Sequence, residues 1–203
     1  MKRYDSSGLE LSGSMVARGE EAFRHAGGSG LEVWYLAGAS NGLALATATM
    51  TANVLRAFPF VAPARGGTLD RLGFNVTTLL AGNSRIGLYA SVSESNLYPS
   101  ALLEDSGSIS TATTGVKSYT INRALKPGRL YYLAHVCDVA VVLRGFAVGG
   151  VSSVLGISNA LGTTPNLGVS VAHTYGALPA TFTAGGAMIT AVPLPALGYR
   201  FSG

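Results

Sequence analysis

The chain has 203 residues, of which 12% are charged and 48% apolar, and its formal net charge is +4 at pH 7. That length suits one domain with a substantial core, but the charged share is about half of what globular domains carry. The basic residues are scattered with no run of Lys and Arg, which speaks against a nucleic-acid footprint, and the single cysteine, Cys137, excludes an intrachain disulfide.

Residues 1–43 read as an extended N-terminal arm with an anchoring strip. Gly8, Gly13, Gly19, Gly27, Gly28 and Gly30 punctuate it, with many serines. A short helix is predicted over Met15 to His25, with Ser14 as its N-cap. Too few apolar residues precede Leu31 for a core, so the arm is expected to order on a partner. Its first residues carry positive charge with no apolar stretch behind it, so no secretory signal is expected. Leu31 to Leu36, which holds the only tryptophan, Trp34, alternates as an anchoring strip. Asn41-Gly42 signals a turn.

Residues 44–203 read as the folded domain. Leu45 to Val61 reads as one long strand, in which Thr47, Thr49, Thr51 and Asn53 alternate with Ala46, Ala48, Met50 and Ala52, and which Pro59 and Pro63 end or place at a sheet edge. Period-2 segments follow at Gly67 to Thr78, Ser84 to Ala90, Ala101 to Gly107, Gly115 to Asn122 and Gly128 to Val136, each bounded by Gly, Pro, Asn or Ser. Lys126-Pro127-Gly128 is a turn, with Pro pre-setting φ. Val139 to Ile157 is apolar, but Arg144 and six Gly and Ser residues interrupt it. It reads as a strand leading into a long Gly/Ser-rich loop at about 147–177, and not as a membrane span. Tyr175 to Phe182 is a loop leading to a final pair of strands, near Ala187 to Val192 and Ala196 to Phe201. Short strands at this spacing predict an all-β fold, an antiparallel β-sandwich of jelly-roll type.

Little catalytic chemistry lies on these strands. His25, His135 and His173 are far apart in sequence. His135 and Cys137 share one strand face and offer two zinc ligands, but a structural site takes four and no second pair exists. Cys137 reads as a small buried hydrophobe. Among Asp70, Glu94, Glu104, Asp105 and Asp138, two carboxylates could serve a glycosidase. Glu104 and Asp105 are adjacent on a strand and face opposite ways, and the set reads as solvated surface. No Gly-x-Ser-x-Gly elbow or Gly-x-x-x-x-Gly-Lys loop occurs. Tyr89, Tyr98, Tyr131 and Tyr132 are weighed as a sugar-stacking surface against core tyrosines with hydroxyls at the rim. Of the adjacent pair Tyr131 and Tyr132, one is expected to face the core and the other outward. No catalytic, cofactor-binding or metal residue is assigned. The shortage of charge reads as surface covered by neighbouring subunits, against a plainly neutral surface.

Arg85-Ile-Gly-Leu-Tyr, Tyr98-Pro-Ser-Ala-Leu-Leu-Glu-Asp-Ser-Gly, Thr113-Thr-Gly-Val-Lys and Leu125-Lys-Pro-Gly-Arg-Leu-Tyr-Tyr-Leu-Ala resemble a family of tailed-bacteriophage virion proteins. The similarity covers residues 45–145 and, more loosely, 175–203. It implies a jelly-roll sandwich and a non-enzymatic structural role in the virion. The first expectation is a homotrimeric capsid decoration (cement) protein bound to the major capsid protein, made in the host cytoplasm. The second is a tail, fibre or adaptor component bound to tail proteins. A carbohydrate-binding sandwich is the third. No cofactor, nucleic acid or membrane is implied.

Overall fold

The computed structural model describes residues 34–38, 45–63, 66–93, 95–146, 154–156, 165–190 and 194–202. The predicted arm with its helix over Met15 to His25, and the Asn41-Gly42 turn, lie outside the described residues.

The described residues form an all-β fold of two antiparallel sheets packed as a sandwich. The strands are β1 (Tyr35–Leu36), β2 (Leu45–Thr49), β3 (Val54–Val61), β4 (Gly67–Thr78), β5 (Asn83–Ser91), β6 (Pro99–Asp105) and β7 (Ile109–Ser110). They continue with β8 (Gly115–Leu125), β9 (Leu130–Cys137), β10 (Val142–Phe146), β11 (Gly168–Ala172), β12 (Ala187–Ile189), β13 (Leu194–Pro195) and β14 (Gly198–Phe201). One sheet runs β1-β14-β4-β10-β13, with β2 also on β10 and β8 on the other side of β4. The second runs β12-β11-β3-β9-β5-β6, with β7 also on β5.

The five period-2 segments become β4, β5, β6, β8 and β9. The long strand expected over Leu45 to Val61 is instead two strands in different sheets. The chain leaves β2 at Met50, turns through Thr51 to Asn53 and enters β3 in the other sheet. Asn53 supplies the corner with φ of 59°, a left-handed conformation that Asn tolerates better than most residues. The alternation of Thr and Asn with apolar residues ends at Asn53 and gives way to the apolar run of β3, so the pattern changes at the corner. Pro59 lies inside β3, which is an inner strand. Its carbonyl accepts from the Gly38 N–H at 2.8 Å, so its N-side faces away from β9, beyond the end of the β11 pairing at Ala57. The missing donor therefore costs no ladder bond.

Two further expectations change. Within the span read as a long loop, residues 168–172 form β11, an inner strand beside β3. The last strands are not a pair: β12 joins β11 in one sheet, whereas β14 joins β4 in the other.

The main core lies between the sheets, around Phe58, Leu72, Phe74, Leu88, Leu133 and Leu143. A second apolar cluster covers the outer face of the β3–β9–β5 sheet. There Leu178 and Phe182 of the 174–186 segment lie over Leu55, Tyr89, Tyr132 and Val136. That segment is strapped to β6 by backbone bonds from Leu102 to Ala180 and from Phe182 to Ser100. All eight residues of β9 are consequently buried. Tyr131 faces the inter-sheet core as one of the pair was expected to, but its outward-facing neighbour Tyr132 is covered by the strap instead of reaching solvent.

The Trp34 strip also has a seat. Gly73 and Gly198 are cross-strand partners on β4 and β14, and the indole ring lies against both. A β-carbon at either position would come within 3.0 Å of it or closer.

Candidate functional site

Arg56 belongs to the apolar run Val54-Leu-Arg-Ala-Phe-Pro-Phe-Val of β3. Leu55 and Ala57 face the strap side of the sheet, and Phe58 and Phe60 face the inter-sheet core. Period 2 therefore turns Arg56 inward, toward the opposite sheet. It opens into a cleft of about 530 Å³ at the edge where the sheets part. Thr47 and Thr49 of β2 and Leu194 of β13 line one wall; Phe58, Ser170 and Met188 line the other.

The guanidinium is sparsely satisfied. Its Nη2 donates to the Thr51 hydroxyl at 3.0 Å, and its Nη1 lies 4.0 Å from the Met50 sulfur. Burial lowers its pKa from the ordinary arginine value, with Cys137 acting weakly the other way. It stays charged nonetheless, because an arginine does not lose its proton in a protein. Three other half-buried arginines have carboxylates: Arg85 holds Asp105 at 2.8 Å, Arg123 holds Glu104 at 2.8 Å and Arg200 holds Asp70 at 2.5 Å, whereas Arg71, also half-buried, donates to the Thr120 hydroxyl. Arg56 has none among the described residues.

His135 stands opposite Arg56 on β9 and is fully buried. Its ring meets the Phe74 ring edge-on at 5.3 Å, and among the described residues neither ring nitrogen has a hydrogen-bond partner. Burial, and then the charge of Arg56, push its pKa down to about 3. At neutral pH the cleft therefore carries the charge of Arg56 without a second one from His135.

The residues weighed from sequence fall elsewhere. Cys137 shares the inward row of His135, is buried, and its thiol faces the Thr51 carbonyl at 3.7 Å; burial pushes its pKa up to about 11. Among the described residues no three His, Cys, Asp or Glu side chains gather as a metal site. Asp70, Glu104, Asp105 and Asp138 are not the solvated groups expected. The first three are paired with arginine, and Asp138 accepts from the backbone and side-chain amides of Asn83. Asp105 also takes the backbone N–H of Gly107 and of Leu178, which fixes one end of the strap. His25 and Glu94 lie outside the described residues.

The four tyrosines form no open stacking face. Tyr89, Tyr131 and Tyr132 are buried. Tyr89 donates to the Pro179 carbonyl at 2.9 Å, Tyr98 to the Thr183 carbonyl at 2.7 Å, and Tyr132 to the Leu97 carbonyl. Their hydroxyls hold loops.

Sequence reading passed over Arg56. The available signal was one cation on the row Val54, Arg56, Phe58, Phe60, where every other member is apolar. No protein-family model, no curated protein and no solved structure matches this chain.

Proposed function

We propose that this chain is a non-enzymatic structural subunit of a tailed-phage virion, a capsid cement protein that acts as a homotrimer on the virion surface. It would bind over the joints between major capsid subunits. The family resemblance supplies the virion, which is an analogy of sequence and fold.

The observation that carries an assembly role is strand β8. Among the described residues it pairs with β4 alone and so forms a sheet edge eleven residues long. Ile121 and Leu125 mark its inward row; the outward row is Val116, Ser118, Thr120, Asn122 and Ala124, exposed and without charge. Edge strands are usually guarded by charge, proline or a cover, because their unpaired backbone groups invite another chain; β8 carries its two charges, Lys117 and Arg123, on the inward row and leaves the outward row without one. Val116 is 65% exposed, and Leu79 and Leu80 in the β4–β5 turn are 52% and 45% exposed. Register sets Gly115 opposite Val76, so these three apolar side chains lie toward the same end of the sandwich. Exposed apolar surface of this kind marks contact sites. A partner that binds only the assembled shell stabilises it by mass action.

The test mixes the protein with undecorated capsids and measures occupancy and the temperature of shell rupture. Saturable binding with a raised rupture temperature is expected. Binding to tails and never to capsids replaces this reading with the tail, fibre or adaptor one.

A further inference from the structure

We propose that the Arg56 cleft is a binding site for an amphipathic monocarboxylate, a single carboxylate group carried on a short apolar stem. This stands apart from the assembly role, which rests on β8 at the opposite edge of the sheets.

The charge sets the anion. Arg56 is the cation of the cleft, and its planar fork has five N–H donors, of which one oxygen, that of Thr51, takes one. Two parallel N–H groups match the two oxygens of a carboxylate. With His135 neutral, a dianionic phosphate would leave charge uncompensated in a half-buried place, whereas a carboxylate would not. Arg85, Arg123 and Arg200 each bind a carboxylate of this chain, so the fold satisfies such groups in that way. Among the described residues no carboxylate meets Arg56, which leaves its fork open to one supplied by a ligand.

The walls set the stem. Phe58, Met188, Ile189 and Leu194 give the cleft apolar sides, while Thr47 and Ser170 put hydroxyls near its mouth. A volume of about 530 Å³ lies within the range of small-ligand sites, about 300–1,000 Å³. Two sources have this chemistry: a free short-chain acid, and a glutamate side chain on an apolar segment of a polypeptide.

The experiment titrates labelled full-length protein at neutral pH and follows amide and methyl shifts. The probes are hexanoate, hexanol, hexylamine, inorganic phosphate and a capped peptide with a central Glu between Leu and Val. Saturable shifts at Arg56, Met188 and Ile189 with hexanoate or with the peptide are expected, at least tenfold tighter than with hexanol or hexylamine. Hexanoate alone assigns a free acid; the peptide alone assigns a polypeptide side chain. Arg56→Met keeps the apolar stem and should weaken binding at least tenfold; Arg56→Lys keeps the charge without the fork and should fall between. The hexanol comparison needs no variant and stands if Arg56→Met fails to fold. No saturable binding of either carboxylate, hexanol binding as well as hexanoate, phosphate binding tighter than both carboxylates, or undiminished binding to Arg56→Met each overturns the site. None of these outcomes bears on capsid binding.

Discussion

Arg56 on β3 and His135 on β9 are direct cross-strand partners, and both side chains turn into the space between the two sheets. The pair sets a permanent cation beside a fully buried imidazole that has no hydrogen-bond partner among the described residues. The charge of Arg56 adds to burial in keeping that imidazole neutral.

A pH dependence follows from this pair. In the unfolded chain the imidazole takes up its proton near pH 6.5; in the folded protein it does so only near pH 3. Between those values the unfolded state binds more protons. Stability from this residue is therefore complete above about pH 6.5 and is lost as pH falls, by up to about 1.4 kcal/mol per pH unit. Roughly 2 kcal/mol should be gone by about pH 5. Cys137, on the same inward row, titrates far above this window and Arg56 not at all. Urea denaturation of wild type and His135→Leu at neutral pH and near pH 5 checks it: the variant should lose most of the slope. An equal loss in both proteins assigns the slope to other groups.

How much of this was legible beforehand depends on what each feature needs. β4, β5, β6, β8 and β9 could be read because a half-buried strand writes its burial into alternate residues. The crossing between β2 and β3 was passed over because the apolar run from Val54 follows the alternating segment without a Gly or Pro break, and the change of pattern after Asn53 was its only local mark. β11 was hidden among Gly, Ser and Pro, since its pairing with β3 is a long-range fact. The strap over Tyr132 was hidden likewise, as Leu178 and Phe182 are isolated apolar residues in a loop. The carboxylates read as solvent-facing because their arginine partners lie 19 to 130 residues away. Arg56 could have been found on its row, but nothing local says that no carboxylate among the described residues answers it.

The seat of Trp34 can be tested by filling it. A β-carbon on Gly198 would stand 2.9 Å from the indole ring, closer than such contacts allow. The ring must move, because β14 is held between β1 and β4. Gly198→Ala should therefore shift the emission of the only tryptophan to the red and lower stability by about 1–3 kcal/mol. An unchanged spectrum would show that the indole does not rest on this glycine pair in solution.

The 174–186 strap should behave as part of the core. Phe182 is buried and meets Tyr89 edge-on at 5.3 Å and Tyr98 at 5.9 Å. Tyr98 adds a second anchor, since its hydroxyl also accepts from the Gly186 N–H at 2.8 Å. Phe182→Ala should cost about 3 kcal/mol if the strap stays down and leaves a cavity. A smaller cost with fast hydrogen exchange over residues 174–186 would mean that the strap detaches as a local unit. A small cost with retained protection would contradict the packing described.

The β8 edge gives the sharpest test of assembly. Ser118 lies in the middle of the outward row, opposite Gly73 of β4, and its side chain is exposed. Lysine there adds charge and length at the edge without touching the core, so stability should stay within about 0.5 kcal/mol of wild type. In a closed trimer each copy meets the next through two different surfaces, so one substitution on β8 reaches every joint. If the proposed trimer forms through this edge, Ser118→Lys should convert it to monomer in sedimentation measurements, and Val116→Lys should do the same. Val61→Lys serves as the control, because Val61 is also half exposed but ends β3 in the other sheet. Its variant should assemble as wild type does. If Val61→Lys dissociates the assembly while both β8 variants remain trimeric, the contact lies on the other sheet. If wild type sediments as a monomer at all accessible concentrations, the charge-free row of β8 awaits a different chain, and binding of Ser118→Lys to capsids becomes the deciding measurement.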